Sequence, residues 1–446
     1  MKILLVYPRW EYPTFGELQE PLGLLAVGSM LKSRGHEVRL LDLAVSAIEE
    51  FDALLPRTDL VGISSSTVLY GRACRVLDRV REARPELPVI IGGPHATVLA
   101  EETIERGFTA AVIGEGEHAA FDLVQALEQG RPLHQVPGVV ARDGDTIVRG
   151  PVRGFEPDLD HLPDPDRSLV DYQKYFEARL THVGLMASRG CPWNCLFCKP
   201  MQDKLFGRKV RFRSVGRIAA EMAAIVERLD QRRFLFKDDT IVLGGVEWFA
   251  ELERELGERG LLGAVSFSCQ ARVDQVNRPL LEQMKKCGLE GVAFGVESGS
   301  QKVLDFYRKQ IKVAQTITAF ELCHELGIGT HAFIMLGAPV ETKDDLAATI
   351  ELVRKIKTQS LSVSITTPAP GTDLYEYTRQ AGIFNVRSHE ESDYHYNRRP
   401  INLPHLSVQD LARAEEAIIE LAPGTYFKDQ LESRMKGLLA PESDAA

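Results

Sequence analysis

Three of the seven cysteines lie within eight residues of one another, in the segment S-R-G-C-P-W-N-C-L-F-C at residues 188–198. Their spacing is Cys191-x3-Cys195-x2-Cys198. Clustered thiolates bind soft metals, so zinc and iron–sulfur clusters are the candidates. Structural zinc needs four ligands, usually from two pairs; a site with a remote fourth ligand is the alternative here. Three thiolates favour a 4Fe–4S cluster with one iron open to a small molecule. The other cysteines stand singly: Cys74, Cys269, Cys287 and Cys323.

This loop resembles that of the radical S-adenosylmethionine (radical SAM) family, in which it follows the first strand of a partial barrel. The resemblance extends over residues 183–381. It implies that Cys191, Cys195 and Cys198 ligate a 4Fe–4S cluster whose open iron is chelated by SAM. Electron transfer then cleaves SAM to a 5′-deoxyadenosyl radical. It also implies that Phe197 lies near the adenine.

Polar and glycine residues at later strand ends resemble the SAM contacts of the same family. The carboxyl ends of barrel strands are where such folds build their sites, and the fork of an arginine suits a carboxylate. The alternatives are helix caps for the two aspartates and a surface ion pair for the arginine. The residues implied are Asp238, Asp239, Ser268, Arg272, Glu297, Ser298, Met335 and Gly337, with Glu341 following.

Alternating strands and helices must position these residues. From residue 182 the pattern predicts six β/α units, which favours a partial barrel over a closed eightfold one. The predicted strands are 183–188, 233–236, 264–269, 291–295, 331–336 and 361–366. The predicted helices are 214–229, 245–259, 278–287, 301–307, 313–326 and 343–357.

The N-terminal part alternates in the same way and predicts a doubly wound, flavodoxin-like or Rossmann-like parallel sheet. Its ligand should lie beyond the carboxyl ends of the strands. The predicted strands are 2–7, 37–42, 60–64, 88–92 and 111–114. The predicted helices are 22–34, 72–83, 97–106 and 119–129.

Glycines and hydroxyl side chains follow the last three of these strands, and they let a ligand approach the backbone closely. No G-x-G-x-x-G follows the first strand, which disfavours a dinucleotide. The loops resemble the cobalamin-binding domain that precedes many radical SAM enzymes. The resemblance implies cobalamin contacts from Ser64, Ser65, Ser66, Thr67, Gly92, Gly93, His95, Gly114, Glu115, Gly116 and Glu117.

Two features of this domain leave alternatives open. No histidine fits the Asp-x-His-x-x-Gly pattern that supplies a lower cobalt ligand in many cobalamin domains; the radical branch often lacks it. His95 could instead cap its own turn. The aromatic segment at residues 9–15 could cover the corrin, line a substrate pocket or pack on the sheet.

Composition limits the remaining possibilities. The chain has 446 residues, 44% hydrophobic and 26% charged, with net charge −10, so disorder and broad nucleic-acid binding are disfavoured. The sequence contains no apolar run of about 18 residues, so it predicts no membrane span. The N-terminus resembles a strand rather than a secretion signal, and an odd cysteine count favours the cytoplasm.

We expect four regions along the chain. Residues 1–140 form the cobalamin-binding domain, and residues 141–181 a linker with a hairpin turn at Asp143-Gly144-Asp145. Residues 182–385 form the radical SAM partial barrel, and residues 386–446 a small helical segment. In the last of these, a helix should start near Ser407, with Asp410 completing its capping box.

Together, the two domains resemble cobalamin-dependent radical SAM methyltransferases. In that family one SAM methylates cob(I)alamin, and the radical from a second abstracts hydrogen from an unactivated carbon that then takes the methyl group. The resemblance implies a small-molecule or natural-product substrate and an external electron donor of flavodoxin or ferredoxin type. The alternatives are a cyclase or rearrangement enzyme, a non-catalytic corrinoid carrier or sensor, and a radical enzyme without corrin. Residues 394–397, Tyr-His-Tyr-Asn, are candidates for substrate specificity.

Overall fold

The computed structural model describes residues 1–8, 18–386, 388–389 and 401–422. Contacts divide the chain into two units. The first contains Met1–Pro192, Pro200–Gln231 and Ser388–Ser392, and the second contains Trp193–Lys199, Arg232–Arg387 and Asp393–Ala446. The aromatic segment 9–15, the candidate specificity residues 394–397 and the tail after residue 439 lie outside the described residues.

The first unit is built on a sheet that has seven strands in the described ranges, in the order β2-β1-β3-β4-β5-β6-β7. Strands β1 to β5 pair in parallel, whereas β6 and β7 are antiparallel. Four consecutive apolar residues of β1, from Ile3 to Val6, are buried, as expected for a parallel strand covered on both faces. The strands are β1 Lys2–Tyr7, β2 Glu37–Asp42, β3 Leu60–Ser64, β4 Val89–Gly92, β5 Ala110–Val112, β6 Val139–Asp143 and β7 Thr146–Arg149.

The order of the five parallel strands confirms the flavodoxin-like prediction. The predicted hairpin is also present, with Gly144 at φ +58° in its turn. Because β6 pairs with β5, the hairpin extends this sheet.

Three short strands follow in the chain: β8 Val183–Leu185, then β9 Ser188–Arg189, which pairs antiparallel with β10 Arg211–Phe212. The predicted helix 97–106 is two helices, because Leu99 has the non-helical angles φ −128° and ψ 44°. Among the helices of this unit, α2 Ile48–Leu54, α7 Tyr172–Glu177 and α8 Met201–Phe206 were not predicted. The helices are α1 Leu22–Ser33, α2 Ile48–Leu54, α3 Tyr70–Ala83, α4 Pro94–Val98, α5 Ala100–Arg106, α6 Gly116–Glu128, α7 Tyr172–Glu177, α8 Met201–Phe206 and α9 Val215–Leu229.

The second sheet has six strands within the described residues, which agrees with the six β/α units predicted. Five of them lie in the second unit and pair in parallel, in the order β15-β14-β13-β12-β11. They are β11 Arg233–Phe236, β12 Ser266–Ala271, β13 Leu289–Glu297, β14 Gly329–Leu336 and β15 Ser360–Ile365. The helices of this unit are α10 Gly245–Glu258, α11 Arg278–Lys286, α12 Gln301–Phe306, α13 Val313–Glu325, α14 Lys343–Ile356, α15 Asp373–Gln380 and α16 Val408–Glu420.

The last helix begins where the sequence predicts. Ser407 Oγ accepts a hydrogen bond from the backbone N–H of Asp410 at 3.2 Å, and the Asp410 carboxylate accepts one from the Ser407 N–H at 2.9 Å. Each partner satisfies one of the amides that a helix start leaves unpaired. None of the helices in the described ranges combines the length and apolar character needed to cross a lipid bilayer.

Removing this cap should loosen α16 locally. We expect Ser407→Ala to destabilise the helix by about 1 kcal/mol, which appears as roughly fivefold faster amide hydrogen exchange across residues 408–420. Ser407→Thr keeps the hydroxyl and is the control. Equal exchange in the alanine and threonine variants would contradict the capping role.

Candidate active site

The carboxyl ends of β3, β4 and β5 open into a cavity of about 190 Å³ in the first unit. Parallel strands bring their ends to the same edge, where doubly wound sheets bind ligands. Apolar side chains, including Leu5, Val27 and Ile91, form much of the wall. Seven of the predicted cobalamin contacts line it: Ser64, Gly92, Gly93, Gly114, Glu115, Gly116 and Glu117.

Glycine is required at two positions of this wall. Gly93 has φ +90°, and a Cβ there would lie 2.9 Å from both the Ser64 Oγ and the Ser65 carbonyl oxygen. Gly114 has φ +72°, and a Cβ there would lie 3.2 Å from the Lys204 carbonyl oxygen. Only a residue without a side chain allows these close approaches at positive φ.

His95 does not line the cavity, and neither do Ser65, Ser66 and Thr67. Its ring is fully buried and stacked on Tyr70 at 3.7 Å between centroids. Its Nδ1 lies 3.2 Å from Thr67 Oγ1, and burial lowers its pKa to about 3. The structure therefore packs this imidazole against Tyr70 of α3 and Thr67 after β3, and His95 is not among the residues that line the cavity.

None of the three loop cysteines is part of a disulfide. Gly190, at φ +99°, precedes Cys191, whose N–H donates to the Gly207 carbonyl at 3.3 Å. The N–H groups of Cys198 and Lys199 both donate to the Cys195 carbonyl at 3.0 Å, which defines a tight turn. Burial, followed by the neighbouring Cys195, raises the pKa of Cys198 to about 12. Metal binding must therefore displace a proton there.

Arg272 lies beside this turn, but its donors are engaged by protein groups. Its Nη1 is 3.7 Å from Cys195 Sγ, and its Nη2 donates to the Lys309 carbonyl at 2.7 Å. Asp274 accepts further hydrogen bonds from the same guanidinium. The guanidinium carbon of Arg272 lies 4.1 Å from the centroid of the Trp193 ring. This arrangement places a positive charge against a predicted cluster ligand, and the contact of Arg272 with the SAM carboxylate stays a prediction.

A second buried cation was missed by sequence reasoning. Lys309 Nζ donates to Glu297 Oε1 at 2.7 Å, and both side chains are 7% exposed. Burial opposes the charged form of Lys309, but the Glu297 and Cys195 charges outweigh it, so the lysine pKa lies above its ordinary value. Glu297 itself has φ +62°, a strained conformation of the kind that concentrates at functional sites.

The predicted adenine residues share one apolar cluster. Phe197, Met335 and Ala338 pack around Tyr307, and the Phe197 and Tyr307 rings meet edge to face at 5.3 Å. Gly337, at φ +85°, begins the turn after β14. An apolar, aromatic surface of this kind suits a purine ring.

Glu341 holds the same turn from inside. Its carboxylate accepts hydrogen bonds from the N–H groups of Gly337 at 2.5 Å and Ala338 at 3.1 Å. The side chain is 1% exposed. Burial raises its pKa from 4.5 to about 7, although the two amides act in the opposite direction.

The remaining predicted contacts differ in exposure. Asp238 is buried, whereas Asp239 is exposed. Ser298 is fully buried, and its Oγ lies 3.1 Å from Thr349 Oγ1. Ser268 is partly buried in β12.

These surroundings fit an iron–sulfur cluster. Within the described ranges, no group of three or more His, Cys, Asp or Glu side chains is arranged for a single metal ion. A cubane cluster makes a different demand, because each thiolate binds a different iron. Arg272 and Lys309 supply positive charge near thiolates that become anionic on metal binding.

Two known protein families match this chain, one in its N-terminal part and one in the part that follows. The B12 binding domain family matches residues 14–124. The Radical SAM superfamily matches residues 185–353.

Curated relatives cover most of the chain. An uncharacterized methyltransferase of Pyrococcus horikoshii is 31% identical over 391 residues, covering 84% of this chain and 83% of the relative. The hopanoid C-3 methylase of Methylococcus capsulatus is 28% identical, covering 91% and 77%. An anaerobic magnesium-protoporphyrin IX monomethyl ester cyclase of Rubrivivax gelatinosus is 27% identical, covering 84% and 70%.

A solved structure shows the same fold. TsrM, a radical SAM methyltransferase from Kitasatospora setae with cobalamin and a 4Fe–4S cluster bound, matches with a TM-score of 0.76 and 18% identity, covering 94% of this chain and 89% of that one. The chain therefore belongs to the cobalamin-binding radical SAM enzymes. Its cofactors are a 4Fe–4S cluster, S-adenosylmethionine and cobalamin.

The glycine at position 93 provides a test of the cavity. We expect Gly93→Ala to weaken hydroxocobalamin binding, measured by optical titration, because its methyl group collides with Ser64 and Ser65. Gly35→Ala is the matched control, since Gly35 also has φ +90° but nothing lies within 4 Å of its Cβ position. Equal losses in both variants would show that backbone strain, not the collision, is responsible.

Glu341 predicts a pH dependence of stability. Its folded pKa is raised, so between about pH 4.5 and 7 the unfolded chain has lost this proton while the folded chain retains it, and stability falls as pH rises. The glutamine of Glu341→Gln cannot ionise. The unfolding midpoint of this variant, relative to that of wild type, should therefore rise as the pH increases across that range.

Glu255→Gln is the control for this measurement, because a hydrogen bond from Arg259 lowers the pKa of Glu255. Its offset from wild type should stay constant between about pH 5 and 7. A constant offset for Glu341→Gln as well would contradict the buried, raised carboxyl.

Proposed function

We propose that this enzyme transfers a methyl group to an unactivated carbon of a small-molecule substrate. The observation that carries the proposal is the presence in one chain of a three-cysteine loop and a glycine-rich cavity at the strand ends of a B12 binding domain. We further propose 1–140, 182–385 and 386–446 as the boundaries of its cobalamin-binding domain, partial barrel and helical segment.

Cys191, Cys195 and Cys198 hold the cluster in this proposal. When bound, the cluster and SAM supply a hydrogen-abstracting radical, and cobalamin supplies the methyl group. The chain's own task is to bind, orient and exclude water. Phe197, Tyr307 and Met335 provide an apolar wall, and a dry site limits loss of a radical to solvent.

Charge placement supports the same assignment. Arg272 and Lys309 lie next to the Cys195–Cys198 turn, and each forms an ion pair with a carboxylate, Asp274 and Glu297 respectively. Such cations favour anionic thiolates and tune the cluster through contacts to sulfur. Glu341 holds the backbone N–H groups at Gly337 and Ala338, so the turn keeps its shape against an adenine.

The enzyme also needs an external one-electron donor, which we propose to be of flavodoxin or ferredoxin type. We place the protein in the cytoplasm. The seven cysteines are free thiols, which suits a reducing compartment.

A second candidate is a cyclisation or rearrangement without net methyl transfer. The relative from Rubrivivax gelatinosus that is named a cyclase favours it, since it covers as much of this chain as the Pyrococcus methyltransferase does. The two candidates differ in the fate of SAM.

Product analysis separates them. Anaerobically reconstituted protein, given a reductant, candidate substrates and SAM with a deuterated methyl group, should form 5′-deoxyadenosine and S-adenosylhomocysteine and should label its substrate. Deoxyadenosine with an unlabelled, converted substrate and no S-adenosylhomocysteine would favour the cyclase.

The cluster ligands are tested by iron analysis. Replacing Cys191, Cys195 and Cys198 together with alanine should remove the roughly four irons per chain expected for one cluster. Cys323→Ala, at a fully buried thiol in α13, is the control and should retain them. Undiminished iron in the triple variant would refute the assignment.

A further inference from the structure

The segments on either side of the cysteine loop form part of the cobalamin cavity wall. Before the loop, Met186 and Arg189 line the cavity; after it, Leu205 and Phe206 of α8 do so. The loops that follow β4 and β5 line the same cavity. The chain thus passes from the cavity wall into the cysteine loop and back to the same wall.

Four buried charges join these two sides. Arg189 donates to Glu117 at 2.5 Å and to Glu115 at 3.2 Å. Arg211 donates to the two oxygens of Glu115 at 2.8 and 3.1 Å. The four side chains are between 6% and 10% exposed. Two cations and two carboxylates balance, as buried charges must.

The arginines are held in place by the backbone. They lie opposite each other in the antiparallel pair of β9 and β10, and Arg211 also donates to the Phe206 carbonyl at 2.7 Å. Cys191 comes two residues after Arg189, and its N–H is fixed by Gly207 within the same connection. A displacement of the Glu115–Glu117 loop would therefore move the backbone at Cys191.

We propose that Arg189, with Glu117, Glu115 and Arg211, is a positioning device that couples corrin binding to the cluster. The corrin loop carrying Glu115 and Glu117 and the strand leading to Cys191 share one buried ion-pair network. Occupation of the cavity fixes that loop, and the network passes the constraint to the first cluster ligand. The inference rests on the proposed function, because it assumes the cluster assignment of Cys191.

Coupling of this kind is reciprocal and can be measured without turnover. In wild-type protein the Kd for hydroxocobalamin should be about fivefold or more tighter when the cluster is reconstituted than when the protein is iron-free. In the double variant Arg189→Met, Glu117→Gln, the two Kd values should be equal. This variant removes one charge of each sign and leaves the Glu115–Arg211 pair intact, so no buried charge is stranded.

Two further variants complete the test. Arg189→Lys keeps the charge but loses the fork that reaches both carboxylates, so it should retain part of the coupling. It also keeps the test usable if the double variant does not fold, as judged by circular dichroism. The pair Arg79→Met, Asp52→Asn removes an exposed ion pair of the same unit and should leave the coupling unchanged.

Equal Kd values in the two forms of wild-type protein would overturn the proposal, and so would full coupling in the double variant. Failure of the methyl-transfer assay would leave both Kd values measurable. The two failures are therefore distinguishable.

Discussion

The buried charged side chains described in the two candidate cofactor regions lie beside partners of opposite charge, and this constraint shapes both regions. In the first unit Glu115 and Glu117, which follow β5 and line the candidate cobalamin cavity, form ion pairs with arginines next to the cysteine loop. In the second, Lys309 and Glu297 form a pair beside the Cys195–Cys198 turn. An uncompensated charge at any of these places would cost several kcal/mol.

The backbone of these sites obeys a related rule. Groups that approach a ligand closely must lack side chains or must be held by an acceptor. Gly93 and Gly114 meet the first condition at the candidate cobalamin cavity. The N–H groups of Gly337 and Ala338 meet the second, because the Glu341 carboxylate accepts both. In each case the turn is fixed before any ligand arrives, which reduces the ordering cost of binding.

Much of the fold and part of the site could be predicted from sequence. The predicted bounds of β1, β2, β3 and β11 coincide with the observed strands residue for residue. In β1 and β3 the reason is that buried parallel strands are continuous hydrophobic segments. The cysteine spacing and the glycines at strand ends are also local signals, because each can be recognised within a short stretch of sequence. Lys309 gave no such signal, since its partner Glu297 lies twelve residues away, across α12. The same holds for Arg189, whose carboxylates are more than seventy residues distant, and for His95, whose stacking on Tyr70 only the tertiary structure determines.

The hairpin β6–β7 has a consequence for handling the protein in pieces. Strand β5 is three residues long, and without β6 its free amides and carbonyls would form an open edge. Exposed edges of this kind recruit strands from other molecules and promote aggregation. A fragment cut at residue 140 would divide β6 and uncover that edge, whereas one that continues past Arg149 retains its natural cover. The domain boundary at residue 140 that the sequence suggests is thus not a suitable place to truncate the protein.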